Sequence, residues 1–213
     1  MNEFKFEELT VHGSQIHLCS YSDFDPSDYI ENLTTLEKQR FHSFKHIRRK
    51  REFIATRILR NRSVGFQHIH YDVHGAPYLE SGVFISISHS KNKVGIAVNK
   101  DYKIGLDIES IRPTIKTIMH KFLSEEEQVQ FDIKNIVEVC KIWSAKETLY
   151  KLAGRKQIQF KSELLLNRTS DNLWKGTIVN SNYSFSVNLK VFEHDQMIIT
   201  TNTEAIVKHH RKT

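Results

Sequence analysis

An α+β fold is predicted for this chain of 213 residues from three features of its patterning. Two stretches free of proline and glycine, 34–64 and 141–153, carry apolar residues at helical spacing. Alternating apolar and polar residues at 83–98, at 102–109 and in several segments beyond 160 read as strands. Helices are followed by strands twice over, which suggests two halves of similar size.

Composition limits the function classes. Hydrophobic residues make up 39% and aromatic residues 10%, enough for a sizeable core. Lys and Arg total 31 against 25 acidic residues, a formal charge of +6 and a pI near 9.2, which suits an acidic partner or a phosphate-bearing ligand. Cys19 and Cys140 lack metal-ligand spacing, and the first residues have no apolar signal region, so a reducing cytoplasm is the expectation. No apolar run is long enough to span a membrane, so no membrane role is expected.

In chain order, 11–21 reads as a strand that includes Ile16 and Leu18, and 23–27 as a turn around Pro26. The stretch 34–64 reads as one or two helices whose polar face holds Lys45, Arg48, Arg49, Lys50, Arg51, Arg57, Arg60 and Arg62. Three readings of that face are open: a solvated surface, which is the default for most of these residues, a nucleic-acid stripe, or a cradle for a polyphosphate. A strand and turn follow at 67–79, where Gly75 and Pro77 break the chain. The segments 83–90 and 94–98 make a hairpin across the polar turn 91–93, with Ser88, His89 and Ser90 at its end. A Ser-His pair without an Asp partner is a poor case for a nucleophilic triad, and a hydroxyl and an imidazole at a strand end suit a phosphate better.

On the strand 102–109, alternation places Ile104, Leu106 and Ile108 on one face and Gly105, Asp107 and Glu109 on the other. Two carboxylates facing one way call for a cation, with Mg²⁺ suited to hard oxygen ligands and Gly105 leaving room for a ligand to approach. An exposed acidic edge strand is the equal alternative. Past Pro113, Ser124 and Glu127 form a capping box. The helix 141–153 stops at Gly154 and stacks Trp143, Glu147 and Lys151 on one side, either as a solvated ion pair or as part of a site. Strands at 160–166, 173–179, 183–192 and 197–201 follow, with polar turns at 169–172 and 180–182 and a frayed tail at 208–213.

These pieces form a constellation. Gly105-Leu106-Asp107-Ile108-Glu109 completes the pattern G-x-D-x-E. Trp143-Ser144-Ala145-Lys146-Glu147-Thr148-Leu149-Tyr150-Lys151 completes W-x-x-K-E-x-x-x-K, and Ser88-His89-Ser90 precedes both. In this order they resemble the 4′-phosphopantetheinyl transferases of the surfactin-synthetase-activating type, loosely over 36–160 and only in general character beyond.

The resemblance implies two similar α/β subdomains, 1–102 and 103–213, in a pseudo-twofold arrangement with the active site at their junction. It implies transfer of the phosphopantetheine arm of coenzyme A to a serine of an acyl or peptidyl carrier protein, releasing 3′,5′-ADP. Asp107, Glu109 and Glu147 would hold Mg²⁺, with Glu147 also the general base and Lys151 neutralising the phosphate that carries the leaving charge. Ser88, His89, Gly75 and, more weakly, Arg51 match positions that bind coenzyme A. Trp143 is expected to pack the helix. A cytoplasmic monomer with no nucleic-acid partner is expected. Two positions depart from the family pattern: Ala76 stands where a lysine that contacts coenzyme A is often found, and Ser86 stands where Asn is frequent. The alternatives are a basic nucleic-acid-binding protein and a metal-dependent nuclease. The nuclease pattern commonly has Lys two residues after the acid, whereas Glu147 and Lys151 are four apart.

Overall fold

The computed structural model describes residues 3–180 and 183–210 and has the mixed helices and sheets of the α+β class. Strands β1 (Phe4–Val11) and β2 (Ser14–Tyr21) form a hairpin through His12 and Gly13, both in left-handed backbone with φ of 45° and 80°. The strand read at 11–21 is therefore the second arm of a hairpin. The first arm lies at a sheet edge with Glu7, Glu8 and Thr10 in its pattern, so its alternation is weak. A 3-10 helix at Pro26–Asn32 leads to helix α1 (Thr35–Ser43), which starts from a capping box of Thr34 and Glu37 worth about 1 kcal/mol. Helix α2 (Ile47–Ser63) follows. Next come the two-residue strands β3 (His70–Tyr71) and β4 (Pro77–Tyr78), then the hairpin β5 (Phe84–Ser90) and β6 (Lys93–Asn99).

The second half starts with β7 (Leu106–Ser110), the short α3 (Ile115–Ile118) and α4 (Glu125–Gln130), which has the expected capping box. Helix α5 (Ile136–Leu152) leads into β8 (Leu164–Arg168), β9 (Leu173–Val179), β10 (Tyr183–His194), β11 (Met197–Asn202) and β12 (Val207–His210). Residues 160–163 form a turn where the start of a strand was expected. Positions 208–210 pair with β10 where a frayed end was expected, while 211–213 and the turn residues 181 and 182 lie outside the described residues.

The first sheet has the antiparallel order β1-β2-β6-β5, and the second runs β7-β11-β10-β9-β8 with β12 on β10. Helix α2 covers one face of the first sheet, where Phe53, Ile54 and Leu59 meet Cys19, Val94 and Ile96. Helix α5 covers the second, where Ile142 and Leu149 pack with Trp174, Leu189 and Ile198. On the opposite faces Ile16, Leu18 and Ala97 of the first sheet meet Leu106, Ile108 and Ile199 of the second. Both sheets thus remove apolar area from water on two sides, the main driving force for the fold.

A row of serines joins the sheets at the junction of β5 and β7. The hydroxyls of Ser86, Ser88 and Ser90 accept hydrogen bonds from the backbone N–H groups of Leu106 (2.9 Å), Ile108 (3.1 Å) and Ser110 (3.0 Å). These side chains take the place of ladder carbonyls and satisfy amides that would be costly to bury unpaired. The exposed-edge reading of β7 is thereby excluded.

The basic face of α2 differs from a solvated one. Arg57 and Arg60 are buried and donate to the buried Glu37 carboxylate at 2.8 and 2.5 Å, while Arg51 pairs with Asp23 and Arg48 and Arg49 with Glu52. Arg62 lies over the Phe6 ring at 4.2 Å. Arg57 and Arg60 thus hold the fold together, whereas Lys45, Arg48, Arg49 and Arg62 remain exposed.

Candidate active site

Helix α5 presents the cleft residues because its two sides differ. Asn135 caps it by accepting from the Val137 N–H, and Gly154 ends it at φ 82°. Val139, Ile142, Leu149 and Leu152 go into the core, leaving Trp143, Glu147 and Lys151 along one partly open row. Trp143 stacks on Phe160 with ring centroids 5.5 Å apart, and its Nε1 donates to Glu109 Oε1 at 2.9 Å. Its packing role is as expected, with the added task of orienting a carboxylate. Lys146, to which the sequence analysis assigns no role, is fully buried and donates to Glu127 (2.7 Å), Phe122 O (2.5 Å) and Phe160 O (2.9 Å). It ties α4 and the segment after α5 to the helix that carries the site.

Asp107 and Glu109 project from β7 toward α5, opposite Leu106 and Ile108. The Lys151 ammonium donates to Asp107 Oδ1 (2.9 Å), Ser88 Oγ (3.1 Å) and Leu106 O (2.6 Å). Ser88 in turn donates to Asp107 Oδ1 at 3.1 Å, so its hydroxyl is fully engaged and buried. Gly105 differs from expectation. A Cβ there would meet Leu152 Cγ at 2.9 Å and Thr148 O at 3.0 Å, so the missing side chain makes room for α5 and not for a ligand.

Ser88, His89, Asp107, Glu109, Glu147 and Lys151 line one cavity of about 680 Å³, including its open mouth. Burial, then the nearby Asp107 charge, push the Glu147 carboxyl up to about 7, with Lys151 opposing. Burial and Asp107 likewise raise Glu109, opposed by Arg112 and the Trp143 hydrogen bond. Crowding by protein lowers the imidazolium pKa of His89, with Glu52 opposing. Three carboxylates thus share the cleft with Lys151 and Arg155, and their mutual repulsion adds to burial in raising the two glutamates.

A second cavity, of about 650 Å³ with its mouth, shares Ile87, His89 and Arg155 with the first. Its walls include Arg40, Arg49 and Arg57 beside Tyr71 and Phe53, and Gly75 and Pro77 form part of its rim. Arg40 stacks over Tyr71 at 3.8 Å, and Arg49 NH1 lies 3.0 Å from His89 Nε2. Arg51 lines neither cavity, because Asp23 and the Phe24 carbonyl hold its guanidinium at 2.6 and 2.8 Å. Helical phase separates the two arginines: residues two apart face different ways, and Arg49 has the cleft-facing position. Sequence reading offers Arg49 only as one cation of a basic face and leaves Arg155 out. The only signal for Arg155 is its place immediately after the helix stop.

The donor chemistry suits a hard divalent cation. Asp107 Oδ2 is buried without a hydrogen-bond partner, and Glu147 makes no hydrogen bond or ion pair among the described residues. The three carboxylates line one cavity, but among the described residues no three His, Cys, Asp or Glu side chains are gathered closely enough to hold a metal ion.

An acidic pocket with a buried lysine, opening into an arginine- and aromatic-walled pocket, defines a site for group transfer on a phosphate-bearing substrate. Residues 103–201, which carry both central motifs, match the family model of the 4′-phosphopantetheinyl transferase superfamily. The chain is also 27% identical over 169 residues to the 4′-phosphopantetheinyl transferase HetI of Nostoc sp. (strain PCC 7120), a match covering 68% of this chain and 71% of that protein. These likenesses support its assignment as an enzyme, a phosphopantetheinyl transferase.

Proposed function

We propose that this enzyme moves the 4′-phosphopantetheine arm of coenzyme A onto a serine of an acyl or peptidyl carrier protein, in the manner of the surfactin-synthetase-activating type. The observation that carries this reading is that the two cavities adjoin, with Ile87, His89 and Arg155 in the walls of both. One offers arginines and aromatic rings for a phosphorylated nucleotide, and the other brings Glu147 and Lys151 to the reacting end. The serine oxygen bonds to the phosphorus that carries the pantetheine arm. The bond to the bridging oxygen breaks and its electron pair leaves on 3′,5′-ADP.

Glu147, poised near neutrality, is a base of suitable strength for the serine proton, and such bases contribute about 10²–10⁴-fold. Lys151, anchored by three acceptors, keeps a positive charge beside the reacting phosphate. Ser88 positions both Lys151 and Asp107, while His89 with Arg49 faces the phosphates and Gly75 shapes the rim. On this placement Arg49 takes the contact expected of Arg51. Asp107, Glu109 and Glu147 would hold Mg²⁺, which supplies charge neutralisation at the phosphate oxygens when bound. We read residues 1–102 and 103–213 as subdomains in a pseudo-twofold arrangement, each with one main sheet covered by one long helix. The reading also includes a cytoplasmic monomer; two free, buried cysteines fit the reducing compartment.

The test is mass spectrometry of an apo carrier protein incubated with enzyme, coenzyme A and Mg²⁺, beside Glu147→Gln and Asp107→Ala. A gain of one phosphopantetheine with the wild type, lost in both variants and with chelator, is the expected result. Absence of coenzyme A binding, together with salt-sensitive binding of DNA, would replace this reading with the nucleic-acid alternative.

A further inference from the structure

We infer that Arg155 is a substrate-binding residue, the cation that grips the diphosphate of the coenzyme A donor where it passes from one cavity to the other. The inference rests on the transferase reading above.

Three observations place Arg155 at that passage. It lines both cavities, a property it shares with Ile87 and His89. Its NH1 donates to the carbonyl of Gly75 at 3.0 Å, so a side chain from the end of α5 reaches across the cleft to the turn between β3 and β4. Its charge also acts on the Glu147 carboxyl, so the guanidinium is within electrostatic reach of the reacting end.

The backbone is built to hold the side chain there. Gly154 and Arg155 are both left-handed, at φ 82° and 56°. That region is disfavoured for a residue with a Cβ, and a non-glycine residue held there needs support from its surroundings. The support is local: the Arg155 N–H donates to Tyr150 O at 3.1 Å, and the Tyr150 hydroxyl donates to Arg155 O at 3.2 Å.

A guanidinium has five N–H donors in a fixed fork, and Gly75 O uses one of them. A ligand spanning both cavities must pass Ile87, His89 and Arg155. Of these, Arg155 is the one that brings a guanidinium. A diphosphate is the part of the donor whose charge and planar oxygen edges match that fork. The adjacent position 76 is Ala, so the turn that Arg155 touches brings no cation of its own between Gly75 and Pro77.

The test compares Arg155→Ala and Arg155→Lys with the wild type, measuring coenzyme A and dephospho-coenzyme A binding by calorimetry and KM and kcat with an apo carrier protein. Loss of charge-assisted hydrogen bonds predicts about 10- to 100-fold weaker binding in Arg155→Ala, by the same factor for both ligands because they share the diphosphate. KM for coenzyme A should rise with little change in kcat, and Arg155→Lys should recover part of the loss. Melting temperatures within a few degrees of wild type would separate binding from folding. Wild-type affinity in a folded Arg155→Ala, or a loss confined to coenzyme A, overturns the inference and leaves the transferase reading intact. A wild type that binds neither ligand overturns both.

Discussion

Lys151 and Asp107 form a buried pair across the two elements that build the site, Nζ to Oδ1 at 2.9 Å, with side chains only 12% and 6% exposed. The lysine comes from α5 and the aspartate from β7, so one contact fixes the helix against the strand and sets the charge balance of the cleft. Lys151→Met leaves the aspartate with only the Ser88 hydroxyl beside a cavity open to solvent and should cost about 1–3 kcal/mol, read from urea denaturation. The Asp107→Asn, Lys151→Met double variant should lose less than the sum of the single losses. Strict additivity would mean that the pair is not coupled.

Glu147 gives a pH signature. Its folded carboxyl titrates near 7, above its unfolded value of about 4.5. The folded protein therefore holds more protons than the unfolded chain between those values, and this contribution to stability is present at acid pH and lost as pH rises through 7. The stability of wild type relative to Glu147→Gln, measured in chelator, should fall by roughly 1–3 kcal/mol between pH 5 and pH 8. Bound Mg²⁺ favours the carboxylate, so the rising limb of kcat/KM should lie at lower pH than the titration seen in chelator. A stability difference from Glu147→Gln that stays flat from pH 5 to pH 8 in chelator would show that the carboxyl is not raised.

Ser86→Ala tests the serine row away from the charges. The Leu106 N–H loses its acceptor in a buried setting, which should cost about 1–3 kcal/mol and speed hydrogen exchange at that amide. Unchanged exchange would show that β7 does not depend on this bond.

Gly105→Ala probes the fit of α5 on β7. The added carbon would press on Leu152 and on the Thr148 carbonyl, and overpacking of this kind costs about 1–3 kcal/mol. Displacement of α5 also carries Glu147 and Lys151 away from Asp107, so transferase activity should fall more than stability alone explains. A fully active, stable variant would mean that the helix gives way freely.

Much of this was legible before any coordinates. The α5 motif and the β7 motif each obey one period, 3.6 and 2, and period alone decides which side chains share a face. Pattern alone grouped Asp107 with Glu109 and, separately, Glu147 with Lys151; it was the family resemblance that joined the two groups, and all four line one cavity. Residues whose role depends on a partner distant in sequence were not legible. Arg57 and Arg60 look like solvent cations until Glu37 is seen buried between them. Lys146 looks like a surface residue of a helix, yet its ammonium is enclosed by Glu127 and two carbonyls. Gly105 and Ser88 were read as space and ligand, when packing from α5 and three hydrogen-bonding neighbours already occupy them. Single-residue roles at loops, such as that of Arg155, carry no periodic signal at all.

The serine row makes alignment between the two sheets discrete. Hydroxyls alternate with Ile85, Ile87 and His89 along β5, so a slip of one residue would take every hydroxyl away from the β7 amides. A slip of two would leave a terminal amide without its acceptor. Neighbouring settings are thus excluded by whole hydrogen bonds, and the Ser88, Asp107 and Lys151 contacts inherit the same all-or-none indexing. An engineer wishing to recombine the first half of one such enzyme with the second half of another would need to keep this toothed seam intact, since compatible apolar surfaces alone would not restore the phase of the active site.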